Sequence, residues 1–166
     1  MILARTVGLS EHELTGLVHT LRARGETVAT AESLTAGLVC AVLTAVPGAS
    51  AVVRGGLVVY ATELKVGLAG VDRALVGAHG AVHPEVAAQL ALGARQRCGS
   101  TWGLGLTGVA GPDPQDGVAP GTVHLGLSGP HGARRVRTVR LSGDRHEIRC
   151  GAVREALRLL AGMLTD

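Results

Sequence analysis

The stretch Thr27-Val28-Ala29-Thr30-Ala31-Glu32-Ser33-Leu34-Thr35-Ala36-Gly37-Leu38-Val39-Cys40 decides the fold. Thr27 to Thr30 is apolar and β-branched and reads as a short strand. A polar turn around Ser33 follows, and Ala36 to Val46 then reads as a helix closed by Pro47-Gly48. The next segment repeats the plan: Val52 to Tyr60 is β-rich, and Ala61-Thr62-Glu63-Leu64-Lys65 leads into a helical pattern. Ser33 and Lys65 therefore both stand at strand-to-helix turns, where open α/β sheets place their ligands. The Gly55-Gly56 pair inside the second strand predicts a bulge or a close backbone approach.

Upstream, Ser10 and Glu13 have the spacing of a capping box, with Leu14, Leu17, Val18 and Leu21 on one helix face before Gly25 stops it. Downstream, no element is assigned between Gly67 and Gly80. His83-Pro84-Glu85 opens a long helix that buries Val86, Leu90 and Ala94. Thr101 to Leu106 is a strand, and the loop that follows it to Pro120 is long enough to be functional. Gly121–Ser128 and Arg134–Leu141 alternate like a hairpin. Ser142 or Asp144 caps a final helix marked by Ile148, Val153, Leu157 and Leu160. The whole predicts one α/β domain over residues 1–166, a three-layer α/β/α sandwich with a mixed sheet of about five or six strands.

A chain of 166 residues that is 46% hydrophobic can bury a core of that size. With no Phe, one Trp and one Tyr, it offers no base-stacking platform. Its 16 basic against 13 acidic residues leave only +3, and Arg135 to Leu141 alternates as a strand with a wet arginine face, so nucleic acid is a disfavoured partner. Three widely spaced cysteines, each in a helix-like apolar segment, fit buried thiols in a reducing compartment. The sequence has no charged leader and no apolar run of ~18 residues, and is expected to be cytoplasmic and not membrane-bound.

Two motifs are rejected. Gly103-Leu104-Gly105-Leu106-Thr107-Gly108 satisfies G-x-G-x-x-G, but Pro112 and Pro114 follow where a helix would have to begin. His79 and His83 straddle Gly80 and stop at Pro84, so they are not one helical face and metal binding is disfavoured.

On chemistry alone, Ser33 is either a nucleophile or a helix cap, and Lys65 either its base or an exposed helix lysine. Arg145, in the first turn of the last helix, is either an anion fork or an ion-pair partner of Asp144 or Glu147. Tyr60 is otherwise strand packing, and Thr107 a turn hydroxyl.

Eight segments in order carry a resemblance: Ala31-Glu32-Ser33-x-Thr35-x-Gly37, Pro47-Gly48-Ala49-Ser50, Gly55-Gly56-Leu57-Val58-x-Tyr60, Glu63-x-Lys65, Gly80-Ala81-Val82, Thr107-Gly108-x-Ala110-Gly111-Pro112, Gly121-Thr122-Val123 and Gly143-Asp144-Arg145. Together they resemble the CinA C-terminal domain family, across nearly the whole chain. The resemblance implies a standalone nicotinamide-nucleotide amidohydrolase of the pyridine nucleotide salvage route. It would convert nicotinamide mononucleotide and water to nicotinate mononucleotide and ammonia. It implies catalysis by Ser33 and Lys65, with substrate held by Thr35, Gly37, Tyr60, Thr107, Gly108, Gly111 and Arg145, and neither metal nor cofactor. It further implies that the molybdopterin-binding-like domain of longer members, with its pyrophosphatase activity, is missing, and that the chain forms a homodimer or higher homo-oligomer.

The pattern departs from the family's commonest one at Leu34, where Cys is frequent, at Ala36, where Gly is frequent, and at Thr62, where Asn is common. A methyl at position 36 is expected to crowd the phosphate or the oxyanion. The alternative expectation is a nucleotide-binding module with little or no turnover, linked to competence or DNA-damage response.

Overall fold

The computed structural model describes residues 1–165. A short helix α1 (Ile2–Thr6) precedes α2 (Glu11–Ala23), whose start is the capping box read from the sequence: Ser10 Oγ accepts from Glu13 N–H at 3.1 Å, and Glu13 Oε2 accepts from Ser10 N–H at 2.9 Å. Strand β1 (Val28–Glu32) is buried throughout and leads to α3 (Leu38–Thr44). Then come β2 (Val53–Val58), α4 (Thr62–Gly67), α5 (Arg73–His79), α6 (Pro84–Cys98) and β3 (Trp102–Gly108). Strands β4 (Thr122–Ser128) and β5 (Arg134–Arg140) form the hairpin, and α7 (Arg145–Thr165) closes the chain.

The five strands lie in the order β2-β1-β3-β4-β5. β1 runs parallel to both β2 and β3, and the last two strands are antiparallel, so the sheet is mixed. On one face α6 covers Ala29, Ala31 and Val59. On the other, α2, α3 and α7 enclose the larger core around Leu21, Val28, Leu104, Leu125 and Leu157. This is the expected three-layer sandwich.

Glycine sets how close one layer lies. A Cβ at Gly105 or Gly126 would collide with the Ala87 carbonyl of α6, so the two glycines seat that helix directly on β3 and β4. The G-x-G-x-x-G run is thus strand packing. The Gly55-Gly56 pair does both things foreseen for it. The β1–β2 register shifts between Val28 and Ala29, opposite Val53 and Gly55, and a Cβ on Gly56 would stand 2.6 Å from Thr30 Oγ1.

Strand β1 runs on to Glu32 and β2 stops at Val58, against Thr30 and Tyr60 in the sequence reading, and three further differences concern α3, β3 and α5. Helix α3 begins at Leu38 and not at Ala36, because Ala36 (φ 51°) and Gly37 (φ 92°) are both left-handed and hold the chain out of a right-handed helix. Strand β3 continues through Thr107 and Gly108, which pair with His124 and Val123, so those residues are sheet and not loop. The unassigned stretch contains α5, capped by Asp72 through Ala74 N–H at 2.9 Å. At the last helix Asp144 is the cap, exchanging bonds with Glu147 at 2.9 and 2.7 Å.

Candidate functional site

Parallel strands β1, β2 and β3 end on the same edge of the sheet, and the chain leaves β1 for α3 on one face and β2 for α6 on the other. Such a switch point opens a crevice beyond the carboxyl ends of the strands. A cavity of about 230 Å³ lies there, and it brings together Ser33 after β1, Tyr60 and Lys65 after β2, Thr107 and Gly108 at the end of β3, and Arg145 at the start of α7.

Lys65 is 2% exposed. Its position in a short helix directly after β2 turns the side chain inward, and Nζ donates to the carbonyls of Val59 at 2.9 Å and Tyr60 at 3.0 Å. Burial pushes its pKa down to about 8, against a small opposing pull from Glu63. It is not the exposed helix lysine of the alternative reading.

Ser33 is 8% exposed, makes no side-chain hydrogen bond among the described residues, and opens on the cavity. No hydrogen bond joins it to Lys65. It does not cap α3 either. That place is taken by Glu32, a fully buried carboxylate that accepts from the N–H groups of Gly37, Val39 and Cys40 at 2.9 to 3.0 Å and from the Thr30 hydroxyl at 2.9 Å. The start of α3 is therefore closed to any ligand oxygen, which withdraws Gly37 N–H from the substrate-holding role expected of Gly37.

The turn itself is pinned. Ser33 C=O accepts from Ala36 N–H at 3.0 Å. Arg149, one turn along α7 from Arg145, donates from Nε to the Leu34 carbonyl at 2.8 Å and from a terminal nitrogen to the Thr35 carbonyl at 3.2 Å. Only the N–H groups of Leu34 and Thr35 in this turn have no acceptor among the described residues. Thr35 Oγ1 is also buried without a partner, the one such side-chain atom among the described residues.

The remaining expected residues divide. Arg145 reaches the cavity mouth, with one nitrogen donating to the Gly111 carbonyl at 2.8 Å and another to the Tyr60 hydroxyl at 3.0 Å, and it pairs with neither Asp144 nor Glu147. Tyr60 is 56% exposed and orients Lys65 through its carbonyl, not its phenol. Thr107 spends its hydroxyl proton on the Ala81 carbonyl at 2.8 Å and so lacks a donor for a phosphate. Thr35, Gly37 and Gly111 do not line the cavity.

Three residues were missed. Gln115 lines the cavity from the long loop, whose length was the only signal for it. Glu32 stood in the quoted Ala31-Glu32-Ser33 pattern but carried no sign of its role, and Arg149 none either, since a strand-end acid and a helical arginine are ordinarily solvated. The arginine cluster is dispersed: Arg134 pairs with Glu85, Arg137 with Glu155 at 3.7 Å, and Arg140 bonds Thr122 at 3.2 Å. Ala36 is exposed and outside the cavity, so its methyl crowds nothing there. No helix among the described residues is long and apolar enough to cross a membrane.

The comparisons agree with this architecture. The profile of the CinA C-terminal domain matches residues 11–164. A CinA-like protein of Frankia casuarinae is 51% identical over 97% of this chain, and one of an Anaeromyxobacter species is 50% identical over 92%. The chain spans only 37% and 38% of the lengths of those two proteins. Among solved structures, the competence/damage inducible protein CihA of Agrobacterium tumefaciens superposes with a TM-score of 0.85 at 33% identity, covering 96% of this chain and 99% of that one. A CinA superfamily protein of Klebsiella pneumoniae gives 0.88 at 30% identity, covering 94% and 98%. The strand-end cavity thus sits in a fold and a sequence pattern shared along almost the whole chain, which belongs to the CinA C-terminal domain family.

Proposed function

We propose that this chain hydrolyses the carboxamide of nicotinamide mononucleotide to nicotinate mononucleotide and ammonia, with Ser33 as nucleophile and Lys65 as its base. The observation that carries the reading is the buried Lys65 ammonium, held by two main-chain carbonyls in the same cavity as an unpaired serine hydroxyl. A neutral amine has two N–H groups and one lone pair. Val59 and Tyr60 accept both hydrogens, so the lone pair is the one direction left for a proton from Ser33.

The steps follow from that arrangement. Ser33 Oγ bonds to the carboxamide carbon as its proton passes to Lys65 Nζ, and the carbonyl oxygen becomes an oxyanion. Leu34, which lines the cavity, has the N–H left in the turn to receive it, such a donor being worth ~3 kcal/mol in the transition state. The C–N bond then breaks as Lys65 returns the proton, and ammonia leaves. A water molecule, deprotonated by the same amine, attacks the acyl-serine, and the Oγ–C bond breaks to give the carboxylate and restore the hydroxyl. Arg145 at the mouth offers the anion fork for the nucleotide's phosphate.

A second reading, a nucleotide-binding module without turnover, is favoured by one observation, the lack of a Ser33–Lys65 hydrogen bond; such bonds commonly tighten only with substrate in place. The deciding experiment measures ammonia and nicotinate mononucleotide release by the parent, Ser33→Ala and Lys65→Ala. Turnover lost in both folded variants supports the hydrolase. Nucleotide binding without turnover in the parent would establish the module instead.

A further inference from the structure

Two side chains outside the proposed dyad hold the main chain around the Ser33 turn. Glu32 takes the N–H groups beyond the turn, and Arg149 takes two carbonyls within it. We propose that Arg149 is a positioning residue for the reaction: by gripping the Leu34 and Thr35 carbonyls it holds the turn that presents Ser33 and the Leu34 N–H to the cavity. This inference rests on the hydrolase reading and names a residue that reading does not require.

The Leu34 carbonyl and the Thr35 N–H are the two ends of one planar trans peptide, so they point in opposite directions. Arg149 Nε holds the carbonyl end at 2.8 Å, from the α7 side, and thereby fixes where the N–H end points. The adjacent peptide is oriented by the Ser33–Ala36 turn, which leaves Leu34 N–H, at a residue lining the cavity, as the free donor. Arg149 anchors the Thr35 carbonyl with its other arm, at 3.2 Å, so the planar fork prevents the turn from rocking about a single bond. Glu32 completes the selection by occupying the three N–H groups that would compete for the developing charge. What remains at Thr35 is an unpaired N–H and an unpaired, fully buried hydroxyl next to the proposed nucleophile.

Arg149 acts at a distance from substrate, which separates it from Arg145. Arg145 lines the cavity, and its loss should raise KM for a phosphorylated substrate. Arg149 does not line it, and its loss should lower kcat.

The test compares Arg149→Met, which keeps the stem, and Arg149→Lys, which restores one donor but not the fork. Two readouts are taken with the intact chain, each with thermal unfolding followed alongside. One is kcat and KM for nicotinamide mononucleotide. The other is the rate of Ser33 labelling by a small alkyl fluorophosphonate, followed by intact mass; Oγ bonds to phosphorus, fluoride leaves, and the serine proton is released to the base. The labelling passes through the same oxyanion geometry without needing the nucleotide.

In Arg149→Met both kcat and the labelling rate should fall on the order of ten- to a hundredfold with KM within about threefold, Arg149→Lys lying between. The rising pH limb governed by Lys65 should stay in place. If the methionine variant melts below the assay temperature, Arg149→Lys carries the comparison. Unchanged labelling and kcat in a folded variant, or a loss confined to KM, would overturn the proposal. If the parent labels at Ser33 yet releases no ammonia from nicotinamide mononucleotide, the substrate assignment falls while the labelling rates still decide the role of Arg149. If the parent does not label at Ser33, the nucleophile falls and the role of Arg149 falls with it.

Discussion

On the proposed Ser33–Lys65 mechanism, raising the pH should accelerate ammonia release by a calculable amount. Only the neutral amine of Lys65 can take the Ser33 proton, and burial places its pKa at about 8. The neutral fraction is then about one in eleven at pH 7 and about ten in eleven at pH 9, so kcat/KM should rise about tenfold across that interval and level off above it. An ordinary surface lysine would give a limb more than two pH units higher. The assay is initial ammonia release from nicotinamide mononucleotide at constant ionic strength, with enzyme-free blanks subtracted at each pH. The substrate's phosphate titrates near 6 and contributes only below the window. A profile flat from about pH 6.5 to 9.5 would refute the reasoning, as would a limb that persists unchanged in the residual activity of Lys65→Ala, because each removes the titrating lysine from the rate law.

Two further substitutions test the same geometry through stability. The unfolded lysine keeps its proton to about 10.5 while the folded one loses it near 8, so the unfolded state binds more protons between those values and stability should rise with pH there. The burial penalty relieved is at most about 3 kcal/mol, and the difference in urea midpoints between the parent and Lys65→Met should shrink or shift in the methionine variant's disfavour over that window. A difference independent of pH would contradict a depressed lysine. Ala36→Gly should stabilise by about 0.5–1 kcal/mol, because alanine at φ 51° strains the backbone and glycine does not, with its greater unfolded-state freedom returning part of the gain. Turnover should change by less than about twofold, since position 36 is outside the cavity. A lower denaturation midpoint would show that the left-handed strain is compensated locally.

The layers and the strand order near Ser33 were readable because they rest on local signals: a β-branched run, a turn, a helical pattern, and the capping residues Ser10 and Asp144. The glycine signals were readable too, since a pair inside a strand has few structural explanations. The start of α3 was misplaced because Ala36 carries no mark of its left-handed conformation. The site was legible to the extent that each residue follows a strand end. Its wiring was not. Whether Thr107 offers its hydroxyl or spends it on Ala81 depends on a segment 26 residues away, and Arg149 meets the Ser33 turn across more than a hundred residues of chain. Long-range polar pairing leaves no periodicity to detect.

Tyr60 belongs to both ends of the cavity by different atoms. Its carbonyl helps hold Lys65, and its phenol holds Arg145. The first service is rendered by main chain, so it survives any replacement of the side chain that leaves the path of residues 59 and 60 intact. The second disappears with the hydroxyl. Comparative sequence data would therefore register position 60 only through the partner of Arg145, and the grip on Lys65, supplied by peptide groups that every residue type possesses, would pass unrecorded.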